Sequence, residues 1–481
     1  MPVCSINKSK SFAMVNFQNP SGNPRCLRPK AEYRPARRHG SALVVLGCSL
    51  LLACGPESAP PGAGAPAPAA SAGKQPATVP LSLMAQAGKQ LFFDKSLSTS
   101  GAMSCASCHD PDHAYGPPNA LAVQLGGPAL DRAGMRAVPS LRYKLVVPAY
   151  SSELVDPDGA GVPGPGGGFS WDGRADTLAA QAAMPLLSRF EMANATPEAV
   201  IAKVQAASYA QLFLQAFGSH ALADSANAFA NVTQALQAFQ KEDPSFRPYS
   251  SKFDLYNQRG LGSLSAAELR GKAVFNDPNR GNCAACHIPD LNQFTDHMYS
   301  AIGVPRNPAI PANAASDFND MGLCGPLRID LQASDKGASN RFCGMFKTPT
   351  LRNVATRSVF FHNGIITSLE QAIRFYNTRD THPEIWYPTV GGTALKTASA
   401  NFPAYGLITT QYQGGKVQKF NDLPAVYIGN IDAQMPLDGR AATSSLPMNE
   451  PAIADLICFL KTLSDGFEIP AKAPASGTCV N

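Results

Sequence analysis

Residues 103 to 116 read MSCASCHDPDHAYG, and residues 281 to 290 read GNCAACHIPD. Each holds two cysteines three positions apart with a histidine directly after the second: Cys105, Cys108 and His109, then Cys283, Cys286 and His287. Thiols at this spacing can add to the two vinyl groups of a haem, and the adjacent imidazole then lies beneath the iron as its proximal ligand. A single copy could also be a zinc or redox C-x-x-C. The pattern occurs twice, however, and no further C-x-x-C pair stands in the chain to complete a four-cysteine zinc site. The spacing therefore predicts two covalently attached haems c.

A haem whose sixth position is filled by a strong ligand transfers electrons, whereas an open one can bind peroxide or oxygen. Above His109 the chain offers little. His113 follows only four residues later, so the chain there is still on the proximal side or edge, and it reads as a solvated loop histidine. No other histidine appears before Phe169, and nothing singles out Met135, Tyr115, Tyr143 or Tyr150. The first haem is expected to have an open or water-filled face. Splitting an O–O bond there needs a proton carrier and hydrogen-bond donors on the distal side. The stretch 169 to 192, FSWDGRADTLAAQAAMPLLSRFEM, places Trp171, Gln181 and Glu191 ten residues apart. Such residues in a helical region are ordinarily structural, and spacing alone assigns them no role.

The elements that must position these groups begin beyond residue 80. Residues 34 to 54, RPARRHGSALVVLGCSLLLAC, give a basic flank, a short apolar run and Leu51-Leu52-Ala53-Cys54, the form of a lipoprotein signal with cleavage before Cys54. The apolar run is too short to span a bilayer. We expect a signal region over 1–53 and a Pro/Ala/Gly-rich tether over 54–80. The expected location is the periplasm, with the membrane reached only through lipid on Cys54. The formal net charge of +5 comes from that leader, which holds eight basic residues and one acidic one. Without it, 40 basic and 35 acidic residues become 32 and 34, and nucleic acid is an unsuitable partner. Of twelve cysteines, Cys324, Cys343, Cys458 and Cys479 remain after the leader, lipid and haem are accounted for. An oxidising compartment would pair them, with Cys324–Cys343 and Cys458–Cys479 as the shortest loops and the other pairings open.

Helix signals dominate and strand patterns are scarce. Thr196-Pro197 opens one helix, Ser265 with Glu268 forms a capping box for another, and Ser368 with Gln371 looks like a second box. Ile453, Leu456, Ile457 and Leu460 make one apolar stripe. Residues 157 to 168, PDGAGVPGPGGG, read as a long surface loop. A helix leading to C-x-x-C-H occurs twice, each time with Gly-Lys followed two residues later by an apolar-Phe pair, a weak internal repeat. The fold class expected is mainly α and loop-rich with little β. Two cytochrome c-type haem domains would cover 81–258 and 259–481.

The stretch 169 to 192 resembles the distal-pocket segment of the bacterial dihaem cytochrome c peroxidase and MauG superfamily, in which F-x-x-D-G-R-A-x-x-L-x-x-Q-A-x-x-P and a later E-M recur. The likeness extends from about Ala85 to Gly466 and includes LFFDKSLSTSG, FKTPTLRNV, HNG at 362 to 364 and FLKTLSDG. It implies Glu191 as the acid–base residue over the first iron, Gln181 as a distal donor, Pro185 restricting the pocket and Trp171 as an electron relay between the haems. Asp172 and Arg174 would form a local salt bridge.

For the second haem the residues alone leave His297, Met298, Met321, Met345, His362, Tyr376, His382 and Met435 open as sixth ligand. The resemblance implies Tyr376, fourteen residues after His362, where conventional peroxidases carry methionine and MauG carries tyrosine. Leu125 stands where conventional members place a histidine over the reactive iron. Both features resemble the MauG-like subgroup. Two departures accompany them. The second inter-domain tryptophan of MauG corresponds to Gly281, and the inter-haem calcium positions correspond to Ala137, Arg357 and Val359, leaving only backbone carbonyls for calcium.

The resemblance implies reduction of hydrogen peroxide at the first haem with electrons relayed by a His/Tyr-ligated second haem, supplied by a small cytochrome c or copper protein. Its alternative is a MauG-like peroxide-dependent oxidase of a protein or organic substrate. A dihaem electron-transfer cytochrome would instead require both irons to be six-coordinate.

Overall fold

Helices begin where the sequence supplies a cap. The computed structural model describes residues 79–469 apart from 156, 158, 160–161, 258–259, 290–291, 333–337, 392, 395–411 and 414, and also Cys479. The leader over 1–53 and all but the last two residues of the tether lie outside the described residues. α1 (Leu83–Phe93) is capped by Ser82, whose hydroxyl accepts from the Ala85 N–H. The short α2 (Cys105–Cys108) carries the first cysteine pair. Thr177 caps α3 (Leu178–Leu187), and Thr196 caps α4 (Pro197–Ala206) with proline in the first turn. After α5 (Ala210–Phe217), Asp224 caps the long α6 (Ser225–Glu242). α7 (Lys252–Asn257) precedes α8 (Ala266–Asn276), which opens with the expected Ser265/Glu268 box.

Ser368 caps α9 (Leu369–Thr378), but the Gln371 side chain reaches one residue further back than a box requires, accepting from the Thr367 N–H and hydroxyl. α10 (Glu450–Lys461) buries Ile453, Leu456 and Leu460, with Ile457 partly covered at the edge of the same core. A side-chain cap of this kind stabilises a helix by about 1 kcal/mol. The strands form antiparallel pairs, each of two strands, and the mainly helical expectation holds.

Two apolar cores organise residues 77–481, which form one compact unit. The first gathers Leu91, Phe92, Val200, Phe213, Val232 and Phe239, and the second Phe253, Phe275, Phe294, Phe375, Trp386 and Phe459. They are built alike, and the Gly-Lys repeat explains why. Gly88 of α1 lies against α6 so closely that an added Cβ would stand 1.9 Å from the Ala235 carbonyl oxygen. Gly271 of α8 meets the Asp455 carbonyl of α10 at the same 1.9 Å. One turn on, Phe92 packs edge-on against Phe239 at 5.5 Å between ring centroids, and Phe275 against Phe459 at 5.3 Å. Glycine permits the close crossing, and the phenylalanine fills the space beside it.

One expectation is corrected. The glycine-rich run at 157–168 is not a surface loop throughout: Gly164–Gly166 pairs with Ser151–Leu154, and residues 165–169 are buried. An added Cβ on Gly166 would meet Leu154 and Met298, and one on Gly167 the Ala149 carbonyl, so glycine here serves close packing as well as turning. Disulfides join Cys324 to Cys343 and Cys458 to Cys479, the two shortest loops.

The paired crossings generate a prediction. Gly88→Ala and Gly271→Ala should each destabilise the haem-loaded protein by about 1–3 kcal/mol, the cost of overpacking a closed contact. Chemical denaturation should show a lower midpoint with an unchanged slope; unchanged midpoints would mean that the crossings relax freely.

Candidate active site

Each cysteine pair lies on one tight turn that brings its histidine alongside. The His109 N–H donates to the Cys105 carbonyl at 2.8 Å, and the His287 N–H to the Cys283 carbonyl at 2.8 Å. Each imidazole is then fixed by its other nitrogen. His109 Nδ1 is 3.1 Å from the Tyr115 carbonyl oxygen, and His287 Nδ1 is 3.0 Å from that of Phe294. Burial lowers both imidazole pKa values to about 4, so both rings are neutral at ordinary pH. A neutral ring that donates from Nδ1 to a carbonyl presents the lone pair of Nε2, the form that ligates a metal.

The same two carbonyls have a second donor. Tyr115 O accepts the Leu141 N–H and Phe294 O the Leu351 N–H, at 3.1 and 3.3 Å. These leucines belong to Pro139-Ser140-Leu141-Arg142 and Pro349-Thr350-Leu351-Arg352, an internal repeat whose signal was legible in the sequence and was missed. Pro139 and Pro349 carbonyls also face their respective histidines. The arginines lock each segment from behind. Arg142 binds the Ser245 carbonyl and Asp465, and the buried Arg352 binds Asp254 with both terminal nitrogens, at 2.9 and 2.6 Å.

The residues fit two haems c. None of the four C-x-x-C cysteines is spent on a disulfide, so the pairs Cys105/Cys108 and Cys283/Cys286 keep the spacing for two thioether bonds each. Among the described residues no group of three or more His, Cys, Asp or Glu is gathered to hold a metal ion, so the zinc reading fails on geometry. Cys283, Cys286 and His287 line a mainly apolar chamber with an empty volume of about 2030 Å³, solvent at its mouth included.

Tyr376 lines this chamber too, close enough to both cysteines for their charges to act on it. Burial and these neighbours raise its phenol pKa. Of the other sixth-ligand candidates, His362 and Met435 also border the chamber. Phe346 covers the His362 ring face at 3.5 Å, and the Met435 sulfur accepts from Arg440. His297 lines a side chamber, and His382 faces Glu384.

On the first-haem side, Glu191 is near enough to Cys105 and Cys108 to act on both. Its side chain borders open space yet stands deep among protein atoms. Burial raises its carboxyl pKa, opposed by the Ser188 hydroxyl and the Arg174 charge. The backbone is pinned here: the Gly127 N–H donates to the Glu191 carbonyl, and an added Cβ on Gly126 would stand 2.2 Å from the Phe190 carbonyl oxygen. Leu125 therefore sits at the start of a segment clamped to Glu191.

Gln181 faces the side chamber with Phe169, Trp171 and Leu178, and Pro185 interrupts α3 one turn later. Trp171 borders both chambers, and its indole N–H donates to the Ala137 carbonyl at 2.8 Å. The adjacent Asp172 is fully buried and accepts from Arg174 and from Arg136, which also grips Asp320. His113 bonds to Asp110 with its ring half exposed, as a loop histidine should.

Both departures from the MauG pattern have physical content. An added Cβ on Gly281 would stand 2.5 Å from the Val274 carbonyl oxygen, so no tryptophan fits there without backbone movement. The residues do not fit calcium either. The Ala137 carbonyl is taken by Trp171, and those of Val138 and Val359 accept from the Arg357 guanidinium at 3.0 and 3.2 Å. Of the three corresponding positions, the Ala137 and Val359 carbonyls are thus already engaged, the latter by a cation.

Comparison with known proteins agrees with this geometry. The di-haem cytochrome c peroxidase family matches residues 83–261. The methylamine utilization protein MauG of Paracoccus denitrificans (strain Pd 1222) is 36% identical over 307 residues, 61% of this chain and 74% of that protein. The cytochrome c551 peroxidase of Nitrosomonas europaea is 28% identical over 295 residues, 60% of this chain and 71% of that protein. Among solved structures, the diheme peroxidase BthA from Burkholderia thailandensis E264 superposes with a TM-score of 0.66 at 34% identity, covering 81% of this chain and 87% of that one. The duplicated haem-binding turns, the anchored imidazoles and these relatives make this chain a member of the di-haem cytochrome c peroxidase family, on its MauG-like side.

Proposed function

We propose that the chain reduces hydrogen peroxide at the haem held by Cys105, Cys108 and His109, with Glu191 as its proton carrier. The observation that carries this reading is the Glu191 carboxyl beside that cysteine pair, its pKa raised by burial, as a proton carrier requires. The haem supplies the iron at which peroxide accepts two electrons and, with two protons, becomes two waters. Glu191 takes the proton from the inner peroxide oxygen and returns it to the outer one. Gln181 donates a hydrogen bond to peroxide, and Pro185 limits the room around it. Trp171 would relay electrons, and Tyr376 together with His287 would hold the second haem, where an anionic oxygen would lower the potential.

The reading also divides the chain into haem domains over 81–258 and 259–481. It places the protein in the periplasm, tethered through lipid on Cys54. The electron donor is then a small cytochrome c or copper protein. A second reading, a peroxide-dependent oxidase of a protein or organic substrate, is favoured by Leu125 and Tyr376 together and opposed by the closed backbone at Gly281. Steady turnover with a reduced donor protein supports the first, and a covalent change in a partner protein without such turnover supports the second.

Glu191→Gln should slow the reaction with peroxide about a hundredfold in stopped-flow measurements, the scale of acid–base groups; an unchanged rate would remove Glu191 from the mechanism. Tyr376→Phe should convert the second haem from low to high spin in the EPR spectrum of the oxidised protein. A retained low-spin signal would hand the ligand role to another residue, with Met435 next in position.

A further inference from the structure

Interior-facing cations in this protein are of two kinds, with Lys144, Lys347 and Arg357 only partly covered. Arg136, Arg352 and Lys252 each hold a buried carboxylate, as low-dielectric surroundings require. Lys144, Lys347 and Arg357 do not. All three line the large chamber, and Lys144 and Lys347 continue into the side chamber. No ion pair joins any of them to a carboxylate among the described residues. Arg357 donates only to the Val138 and Val359 carbonyls, and Lys347 to the Gly168 carbonyl beside the Phe169 ring.

They also act on one another. The Arg357 charge bears on Lys144, and the Lys144 charge on Lys347 and His297, while Asp296 is the one acid that offsets Lys347. In the protein alone, burial and the Arg357 charge lower the pKa of Lys144 to about 8, and burial lowers that of Arg357 to about 10. Both charges also press on His109, and the chamber they line contains His287, so the cluster stands beside both proximal ligands. Three like charges at the wall of an apolar chamber are costly unless anions enter with whatever fills it.

A haem brings two propionate carboxylates, and two haems bring four. We propose that Lys144, Lys347 and Arg357 together form a common seat for haem carboxylates of both sites, and that their charge holds the haems at higher reduction potentials than the remaining site would give. Tyr376 as second-haem ligand is not required for this, and peroxide turnover is not its readout.

The test uses the full chain with both haems attached and titrates each haem spectroelectrochemically. Lys144→Met and Arg357→Met should each shift the reduction equilibrium of at least one haem tenfold or more toward the oxidised form, 59 mV for a one-electron couple. Lys144→Arg should stay within threefold of the parent, as should Lys241→Met at an exposed position. Unchanged potentials in both Met variants would overturn the proposal. If Lys144→Met fails to take up haem while Lys144→Arg succeeds, the charge is needed for docking and the proposal stands; failure of both would make shape the requirement and sink it. Parent potentials that respond to added inorganic phosphate at constant ionic strength would show that the cluster takes a mobile anion, and would overturn it as well.

Discussion

One backbone carbonyl behind each proximal histidine governs much of this structure. Tyr115 O and Phe294 O each face the Nδ1 of an imidazole and accept the N–H of a leucine from the Pro-[Ser/Thr]-Leu-Arg segment. The arrangement fixes the tautomer, leaves the Nε2 lone pair free to ligate a metal and ties the cysteine turn to a distant segment of chain. A proximal ligand held by a backbone group cannot be lost by a side-chain substitution at the acceptor. The leucine-bearing segments are in turn held by their arginines, Arg142 on the Ser245 carbonyl and Asp465 and Arg352 on Asp254.

The two cysteine turns and the helix crossings beside them are variations on one plan, and they differ in what stands around each turn. Both crossings set a glycine-bearing helix on a second helix at the closest distance a backbone allows, and both have phenylalanine packed into them. In the first unit, the segment after the cysteine pair is pinned beside Glu191 and presents Leu125, a side chain that cannot ligate iron. In the second, α9 brings Tyr376 to the wall of the chamber that the histidine turn also lines. Between them, Trp171 is held by its bond to Ala137 and by the buried Arg136–Asp172–Arg174 group on its neighbour. The Ala137 N–H in turn binds the His362 carbonyl, so the relay position is braced from both units.

Charge separates the structural from the functional interior. Arg136, Arg352 and Lys252 are neutralised in place and belong to the scaffold. Arg357 spends its bonds on the Val138 and Val359 carbonyl oxygens, so a cation already stands where Val359 replaces the family's calcium position. Its guanidinium is permanently charged and needs no ion to be recruited.

By itself the sequence made haem attachment legible at both turns, because attachment is local: two thiols and an imidazole within five residues specify it without reference to the rest of the chain. Helix caps at Thr196 and Ser265 and the apolar stripe of α10 were legible for the same reason. The Gly-Lys repeat was visible but its meaning was not, since only the facing helix shows that a Cβ has no room. The run at 157–168 was misread because glycine-rich chain signals a turn locally, whereas here it admits Leu154, Met298 and Ala149 to close contact. Likewise Lys144, Lys347 and Arg357, separated by up to 213 positions, gave no sign of one another. Only the tertiary fold decided that they line one chamber, because charge clustering and carbonyl anchoring depend on distance in space, which spacing along the chain does not encode.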